Sequence, residues 1–471
     1  MEFSKLTIQE LRDGIISQKF TSEEVVKYFI KKCEKHKNLN AIIEVFADSV
    51  DKAKEIDQKI KLGKKVGRLA GVPVAIKDNI FYKGHKVTCA SLFMQDFVAP
   101  YNATVVDKLL AEDAVIFART NMDEFAMGGS TENSCYGPCH NALNFDYVSG
   151  GSSGGSAVAV AAGLAPVALG TDTGGSIRQP ASFNGIVGIK PTYGAVSRYG
   201  VVAFASSLDQ VSPLAKTIDD CKYVFNIIAG KDEKDLTTIK IDSEKIAKKK
   251  YKIGICKQIM NSYEKMKGGV EFKKTIEKLS KTFDFVNIDL KHIENALACY
   301  YIIAPAEATS NLARFDAVKY AVRDKSAKSL EDVYVKSRSN GFGKEVKRRI
   351  MLGNFVLSSG YFDEYYNKAK RVQELIKSEF SEAFKDCDAI MLPTTPYTAF
   401  KIGEKFNFPV DMYLEDLFTV PANIAGIPAI SVPYATSDNG LPLGMQFLTK
   451  QKNDQMLFDL SKVFIRELEV K

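Results

Sequence analysis

The feature that most constrains this chain is a stretch rich in glycine and serine at residues 128–200, where the small polar residues are interleaved with alanine, valine, leucine and isoleucine. A flexible Gly/Ser linker lacks such apolar residues, so we predict that the stretch is part of a folded core. Two Ser/Gly segments stand out in it, 150–156 and 172–180, with a helix-like run (157–162) and a strand-like run (167–169) between them. A helix followed by a strand returns the chain to the same end of a sheet, which would bring the two segments together.

Composition and charge predict a soluble globular protein. The chain has 471 residues, of which 45% are hydrophobic and 26% are charged, and its net charge of +7 is too small to indicate direct nucleic-acid recognition. The eight cysteines are scattered, unlike a disulfide framework, and the first residues lack the pattern of a secretory signal. We therefore expect a cytosolic protein. The most apolar run, 157–169, is too short to cross a bilayer, so no membrane association is expected.

The order of apolar patterns predicts an α/β architecture that follows an N-terminal helical segment. A capping signal at 21–24 supports helix up to about Lys64, and an apolar strand at 72–76 then ends in Lys77. Further elements are predicted as helices at 104–110, from about 269 and within 343–385, and as strands at 115–118, 252–256, 389–393 and 429–433. The expected organisation is one domain, 1–471, made of a helical segment (1–65), a core with the Ser/Gly segments (66–230), a Lys-rich surface excursion (231–252) and the remainder (253–471).

The second Ser/Gly segment has the composition of an oxyanion-binding loop. Two glycines before Ser176 allow the backbone to turn tightly and to direct successive N–H groups at one point, which stabilises a developing oxyanion. This feature indicates acyl transfer. A phosphate-binding loop is the rival interpretation, but neither segment has the Lys-Ser/Thr ending of a P-loop, and G-x-G-x-x-G is absent from both.

A serine nucleophile needs a base, and the sequence favours a lysine. The 151–155 stretch matches G-x-S-x-G, yet the one histidine that follows it, His292, lies in a polar stretch without catalytic context. Two S-x-x-K matches, 49–52 and 262–265, are expected by chance in a Lys-rich chain. Lys77 is the better candidate, because burial at the end of an apolar strand would lower its pKa and leave it able to accept a proton.

Other chemical features are weaker. Cys135, Cys139 and His140 could form half of a zinc site, but no second pair of ligands follows at a suitable spacing. The tyrosines near residue 300 and the pair Arg348 and Arg349 are, from sequence alone, ordinary helix residues.

The motifs of 150–191 resemble the signature of the amidase signature family, whose catalytic set is Ser-Ser-Lys. Position by position, the resemblance implies Ser176 as the acyl-forming nucleophile, Ser152, 24 residues earlier, as the bridging serine, and Lys77 as the base. It also implies that the oxyanion is held by the loop of Thr173, Gly174 and Gly175. The fold it implies is a single α/β domain with a large twisted mixed β-sheet covered by α-helices on both faces.

Four further segments are similar to the amidotransferase branch of this family: 121–128, 310–316, 346–353 and 357–361. This similarity implies that the chain hydrolyses glutamine and passes ammonia to a partner that amidates ATP-activated Glu-tRNA(Gln), in a heterotrimer with B and C subunits. It implies no cofactor in this chain, since ATP and Mg²⁺ are used in the partner. The implied glutamine-binding residues are Tyr300, Arg349 and Asp416, and a slip of one residue to Tyr301 or Arg348 stays open.

Two alternatives remain. A stand-alone amidase of the same family would act on another amide, and Arg349 and Asp416 discriminate against it because a hydrophobic amide needs no charged clamp. A non-catalytic scaffold would retain Lys77, Ser152 and Ser176 only by coincidence. The choice between Glu-tRNA(Gln) and Asp-tRNA(Asn) is expected to lie in another chain of the complex.

Overall fold

One mixed β-sheet connects the chain from its first strand to its last. The computed structural model describes residues 1–241, 250–263, 268–405 and 408–468, and within them eleven strands are ordered β1-β3-β2-β4-β6-β5-β10-β11-β9-β7-β8. The strands are β1 Ile42–Val45, β2 Pro73–Lys77, β3 Val115–Thr120, β4 Val167–Asp172, β5 Val187–Lys190, β6 Gln210–Ala215, β7 Lys252–Cys256, β8 Asp284–Ile288, β9 Ala389–Pro393, β10 Ala429–Thr436 and β11 Pro442–Thr449.

Helices precede, connect and cover these strands. They are α1 Ile8–Ile16, α2 Ser22–Lys35, α3 Ser49–Lys61, α4 Thr104–Ala111, α5 Gly154–Ala161, α6 Arg178–Asn184, α7 Ile218–Ile228, α8 Lys257–Tyr263, α9 Gly269–Leu279, α10 Ala296–Leu312, α11 Leu330–Gly341, α12 Lys344–Leu357, α13 Lys368–Asp386, α14 Pro409–Tyr413, α15 Val420–Ala425 and α16 Asp454–Leu468. The predicted strands 72–76, 115–118, 252–256, 389–393 and 429–433 and the predicted helices at 104–110 and from 269 are confirmed.

The parallel part of the sheet brings polar strand ends to one edge. Strand β2 pairs in parallel with both β3 and β4, so the carboxyl ends of the three strands point the same way. Their last residues are Lys77, Thr120 and Asp172. All three strands are buried, which explains their nearly continuous apolar sequence.

The N-terminal segment contains the helices α1, α2 and α3 and one strand, β1. Helix α2 begins with the predicted capping box, in which Thr21 and Glu24 bond each other's backbone N–H groups. The prediction of helix up to Lys64 is wrong at Ile42–Val45, which forms β1, antiparallel to β3. These residues pair with a strand that lies far away in sequence, and that tertiary pairing overrides the local pattern.

Two helices that pack closely supply the wall opposite the strand ends. Helix α10 packs against α12, and a methyl group at Gly353 of α12 would lie 2.1 Å from the carbonyl oxygen of Pro305 in α10. Only glycine permits this approach. The contact fixes the side chains that the two helices direct toward the Ser/Gly segments.

Several sequence-based predictions concern the surface and the thiols. All eight cysteines are free. Of the predicted Lys-rich excursion (231–252), residues 242–249 lie outside the described residues, as do 264 and 265 of the S-x-x-K match at 262–265. None of the described helices is long and apolar enough to cross a lipid bilayer.

Candidate active site

Lys77 lies at the end of β2 with its ammonium group fully buried. Its Nζ donates hydrogen bonds to three hydroxyl oxygens, those of Ser152 at 2.8 Å, Ser153 at 2.8 Å and Thr171 at 2.9 Å. Burial lowers the pKa of Lys77 to about 7, although the nearby carboxylates of Asp123 and Asp172 act in the opposite direction. A lysine with this pKa is substantially neutral near physiological pH and can accept a proton.

The two predicted Ser/Gly segments meet at this lysine. Ser152 and Ser153 immediately precede α5, and the Gly151–Ser152 peptide is cis. The backbone N–H of Ser153 donates to the carbonyl oxygen of Ser176 at 3.1 Å, which joins the two segments directly. The Ser153 hydroxyl also donates to the carbonyl oxygen of Thr171 on the neighbouring strand β4 at 3.0 Å and accepts from the Thr171 N–H at 3.2 Å.

Ser176 occupies the turn between β4 and α6. It is 8% exposed, and within the described residues its hydroxyl makes no hydrogen bond. Ser176 is therefore buried but available to a substrate. The structure thus brings Lys77, Ser152 and Ser176, which are far apart in sequence, to one edge of the sheet.

The backbone before Ser176 has one occupied and several available N–H groups. The N–H of Gly175 donates to Asp172 Oδ1 at 2.9 Å, whereas those of Thr173, Gly174 and Ser176 have no partner in the described part of the chain. Gly175 has φ +138°, and a methyl group there would lie 2.3 Å from Thr419 Oγ1. Glycine is therefore required at 175 for both conformation and space. In the predicted oxyanion loop, Gly175 therefore determines the shape of the turn, but its own N–H is bonded to Asp172 and is not available to an oxyanion.

A buried ion pair holds this turn from behind. Arg178 and Asp172 are both fully buried, with Arg178 Nε 3.0 Å from Asp172 Oδ2. Burial by itself would raise the pKa of Asp172, but the Arg178 guanidinium holds it below its usual value. Arg178 also donates to the carbonyl oxygen of Thr419 at 2.9 Å, to Asn423 Oδ1 at 2.6 Å and to Gln446 Oε1 at 3.0 Å. The turn is thereby tied to α15 and β11.

Arg349 projects from α12 into a ring of aromatic side chains near this turn. Its guanidinium carbon lies 5.5 Å from the ring centres of Phe204 and Tyr301 and 5.6 Å from that of Tyr413. Its Nε donates to Glu345 Oε1 at 2.8 Å, while the other guanidinium nitrogens make no hydrogen bond within the described residues. The buried guanidinium therefore has donors free for an anionic group.

Asp416 and two tyrosines complete the surroundings of Arg349. Asp416 Oδ2 accepts a hydrogen bond from the Tyr301 hydroxyl at 2.7 Å. Desolvation raises the pKa of Asp416 to about 7, against the lowering effects of Tyr301 and Arg349. Tyr300 lies against the turn that carries Ser176, since a methyl group at Gly174 would meet its hydroxyl oxygen at 2.8 Å.

Exposure distinguishes Arg349 from its neighbour Arg348, and contacts show how Tyr300 and Tyr301 are placed. The Arg349 side chain is 5% exposed and faces the site, whereas the neighbouring Arg348 side chain is 45% exposed and pairs with Glu345 from outside. Tyr300 and Tyr301 both border the site, Tyr300 at the turn and Tyr301 at Asp416. The structure thus brings together all three predicted substrate-binding residues, and Tyr301 joins them.

The chain matches the model of one protein family, described as Amidase, over residues 24–458. This chain belongs to the amidase family. Among its sequence relatives, the glutamyl-tRNA(Gln) amidotransferase A subunit 2 of Clostridium acetobutylicum is 47% identical over 481 residues, with 99% of this chain and 100% of that one covered. The glutamyl-tRNA(Gln) amidotransferase A subunit of Pelagibacter ubique is 46% identical, with 100% and 98% covered.

Solved structures of the amidase family share the fold. The glutamyl-tRNA(Gln) amidotransferase A subunit from Thermotoga maritima superposes with a TM-score of 0.79 at 38% identity, covering 98% of this chain and 94% of that one. The peptide amidase from Stenotrophomonas maltophilia superposes with a TM-score of 0.83 at 25% identity, covering 100% and 98%. The predicted family and its large mixed sheet covered by helices on both faces are confirmed.

Several residues of this amidase-family site were not predicted from the sequence. Ser153 and Thr171 contact the lysine, Arg178 braces the turn, and Glu345 and Tyr413 hold Arg349. Arg178 alone carries a sequence signal, since an acidic and a basic residue flank the Gly-Gly-Ser turn. The others depend on contacts between segments that are distant along the chain.

Cys135, Cys139 and His140, the residues considered as half of a zinc site, do not form a metal-binding cluster in the described part of the chain. The described residues contain no group of three or more metal-ligating side chains. His140 stacks on Phe145 with ring centres 3.7 Å apart, and its Nδ1 lies 2.7 Å from the Phe145 carbonyl oxygen.

Proposed function

We propose that this chain is the glutaminase subunit of a tRNA-dependent amidotransferase. It would hydrolyse glutamine and supply ammonia to a partner that converts ATP-activated Glu-tRNA(Gln) into Gln-tRNA(Gln). The observation that carries the proposal is a buried Lys77 with a pKa near 7, hydrogen bonded to Ser152 beside the Ser176 turn. The relatives from Clostridium acetobutylicum and Pelagibacter ubique are both named as the A subunit of such an enzyme, which supports the assignment.

The first step is activation of the nucleophile. Neutral Lys77 takes a proton from the Ser152 hydroxyl while Ser152 takes one from Ser176. A neutral amine has two N–H bonds and one lone pair. The hydroxyl oxygens of Ser153 and Thr171 accept hydrogen bonds from the two N–H groups, which leaves the lone pair directed at Ser152.

The second step is acyl transfer. Ser176 attacks the side-chain carbonyl carbon of glutamine, and the unoccupied N–H groups of Thr173, Gly174 and Ser176 stabilise the oxyanion. The proton returns through Ser152 to the departing ammonia. Water then hydrolyses the glutamyl ester on Ser176 and releases glutamate.

The clamp explains why the substrate would be a free amino acid. The guanidinium of Arg349 suits the α-carboxylate of glutamine, and the carboxylate of Asp416 suits its α-ammonium. Tyr300 contacts the Ser176 turn at Gly174 and packs against Tyr301, whose hydroxyl donates to Asp416. A zwitterionic ligand would supply an anion to the remaining guanidinium donors of Arg349 and a cation to Asp416, whereas an uncharged ligand would satisfy neither.

The remaining parts of the reaction are assigned to partners. The B and C subunits would complete a heterotrimer, and ATP and Mg²⁺ would act in the partner that binds Glu-tRNA(Gln). This chain would need no cofactor, since its acid, base and nucleophile are its own side chains.

A stand-alone amidase is the second candidate, because the peptide amidase shares the fold over the whole chain. Arg349 and Asp416 argue against it, since a peptide amide has no free α-carboxylate beside the scissile group.

The test uses the purified chain with its B and C subunits, assayed for ammonia release from glutamine and from a peptide carrying a C-terminal amide. The proposal predicts release from glutamine and, with ATP, formation of Gln-tRNA. Rapid hydrolysis of the peptide amide together with inertness toward glutamine would favour the stand-alone amidase instead.

A further inference from the structure

An aromatic groove that the proposed reaction does not use lies beside the active site. We define the aromatic groove by five residues: Phe81, Phe97, Tyr101, Phe315 and Tyr320. Ring centres are 5.6 Å apart for Phe81 and Phe97, 5.3 Å for Phe81 and Tyr101, and 6.2 Å for Phe97 and Tyr320. A cavity of ≈ 390 Å³ lies over these rings, and a second cavity of ≈ 530 Å³ shares Phe97 and Tyr320 with it. The two cavities therefore adjoin at these shared residues.

The walls of the aromatic groove are positively charged. Arg314 lines the first cavity, and Lys319 and Arg323 line the second. Within the described residues, none of these three cations forms an ion pair with a carboxylate. Asp96 is the one carboxylate among the lining residues of the described chain, and it lies 3.5 Å from Lys86. The groove thus combines apolar rings with unpaired cations.

The floor of the groove is continuous with the active site. An isolated bridge pairs Ile80 with Val201, and the N–H of Phe81 donates to the carbonyl oxygen of Gly200 at 2.9 Å. The segment that contains Ile80 and Phe81 begins just after Lys77, and the segment that contains Gly200 and Val201 pairs with it. The segment with Gly200 and Val201 continues to Phe204, whose ring packs on the Arg349 guanidinium.

We infer that the aromatic groove is the docking site for an extended acidic segment, with aromatic or aliphatic side chains, of another subunit of the amidotransferase. The inference rests on the proposed function, which requires such a partner. Unpaired cations beside partly exposed aromatic rings are complementary to an acidic chain that can fill the cavities with apolar side chains. Tyr101 is 39% exposed and Val98 is 48% exposed, so apolar surface is open to such a segment.

The test measures the affinity of the chain for its purified B and C subunits. The variant is Arg314→Glu combined with Arg323→Glu. The matched control is Lys281→Glu combined with Lys291→Glu, two exposed lysines on either side of β8 at the far edge of the sheet. We expect the groove variant to weaken binding at least about tenfold at low ionic strength, and the control to bind like the wild type.

A photo-crosslinking residue in place of Tyr101 identifies the occupant in the assembled complex. The expected product is a crosslink to an acidic stretch of the B or the C subunit. Crosslinks to tRNA or to a second copy of this chain would overturn the inference, as would unchanged affinity of a groove variant whose thermal unfolding matches the wild type. If the wild type binds B and C and the groove variant binds equally well, only the docking inference is wrong. If the wild type binds neither subunit, the proposed function is wrong as well.

Discussion

At the scale of single residues, the site depends on burial that changes the acidity of Lys77. The lysine is enclosed by three hydroxyl groups and by apolar strands, and none of its hydrogen-bond partners among the described residues carries a charge. Desolvation therefore dominates and brings the pKa of Lys77 to about 7. The same physical cause raises the pKa of Asp416 to about 7.

These two shifts predict the pH dependence of glutamine hydrolysis. The neutral form of Lys77 and the ionised form of Asp416 both increase as the pH rises through about 7, so kcat/KM should rise over about pH 6–8. Asp416→Asn should make that rise shallower, because one of the two titrating groups is removed. A wild-type profile that is flat over this range would contradict the assignment of both groups.

Lys77→Arg should be nearly as inactive as Lys77→Ala. A guanidinium retains the positive charge but does not lose a proton near neutral pH, so it cannot serve as a base. The measurement is the glutaminase turnover of the two variants in the assembled complex. Near-normal turnover of the Arg variant would mean that Lys77 acts only through its charge.

Arg349→Ala and Asp416→Ala should raise KM for glutamine and leave ammonium-dependent tRNA amidation intact. Each change leaves one charge of the bound substrate unpaired, at a cost of about 2–5 kcal/mol. Arg348→Ala is the matched control, because that side chain is 45% exposed and lies outside the site. Equal losses with glutamine and with ammonium chloride would assign the two residues to folding or assembly.

At the scale of elements, the turn from β4 to α6 is the part that the sequence predicts best. Its two glycines and Ser176 indicate a tight turn with directed N–H groups, and the structure has that turn at the end of β4. Its brace, Arg178, was not predicted. Its partners Asn423 and Gln446 lie more than two hundred residues away in sequence, so no local pattern reveals them.

Arg178→Met should destabilise the fold by about 3–5 kcal/mol, because it leaves Asp172 buried without its partner. Glutaminase activity should fall as well, since the turn that carries Ser176 loses its attachment to α15 and β11. The measurement is urea unfolding of the variant beside Arg348→Met, an exposed substitution expected to change stability by at most about 0.5 kcal/mol. If Arg178→Met were as stable as Arg348→Met, the ion pair between Arg178 and Asp172 would be dispensable for stability.

The prediction of elements failed where pairing is long-range. Strand β1 has only four residues and each is half-buried, so its sequence lacks the alternation that identifies a strand. Its pairing of Ile42 with Thr120 exists only in the folded sheet. Strand β2 was predictable because burial on both faces makes Val74, Ala75 and Ile76 a continuous apolar run.

At the scale of the whole molecule, the sheet assembles the site from segments dispersed over most of the chain. The proposed nucleophile, bridging serine and base lie within the first 176 residues, whereas the proposed glutamine-binding residues lie on α10, on α12 and at Asp416. Periodicity and spacing favour Lys77 and Ser176. Tyr300, Arg349 and Asp416 follow only from resemblance, since residues on separate helices have no fixed spacing in sequence.

The proposed role of Ser176 is tested by comparing two nitrogen donors, glutamine and ammonium chloride, in the complex that carries Ser176→Ala. Glutamine hydrolysis should be abolished while Gln-tRNA still forms from ammonium chloride, because only the proposed nucleophile of this chain is removed. The loss of one hydroxyl with no hydrogen bond in the described residues should leave thermal unfolding unchanged. A Ser176→Ala complex that retains a substantial fraction of glutamine hydrolysis would show that Ser176 is not the nucleophile.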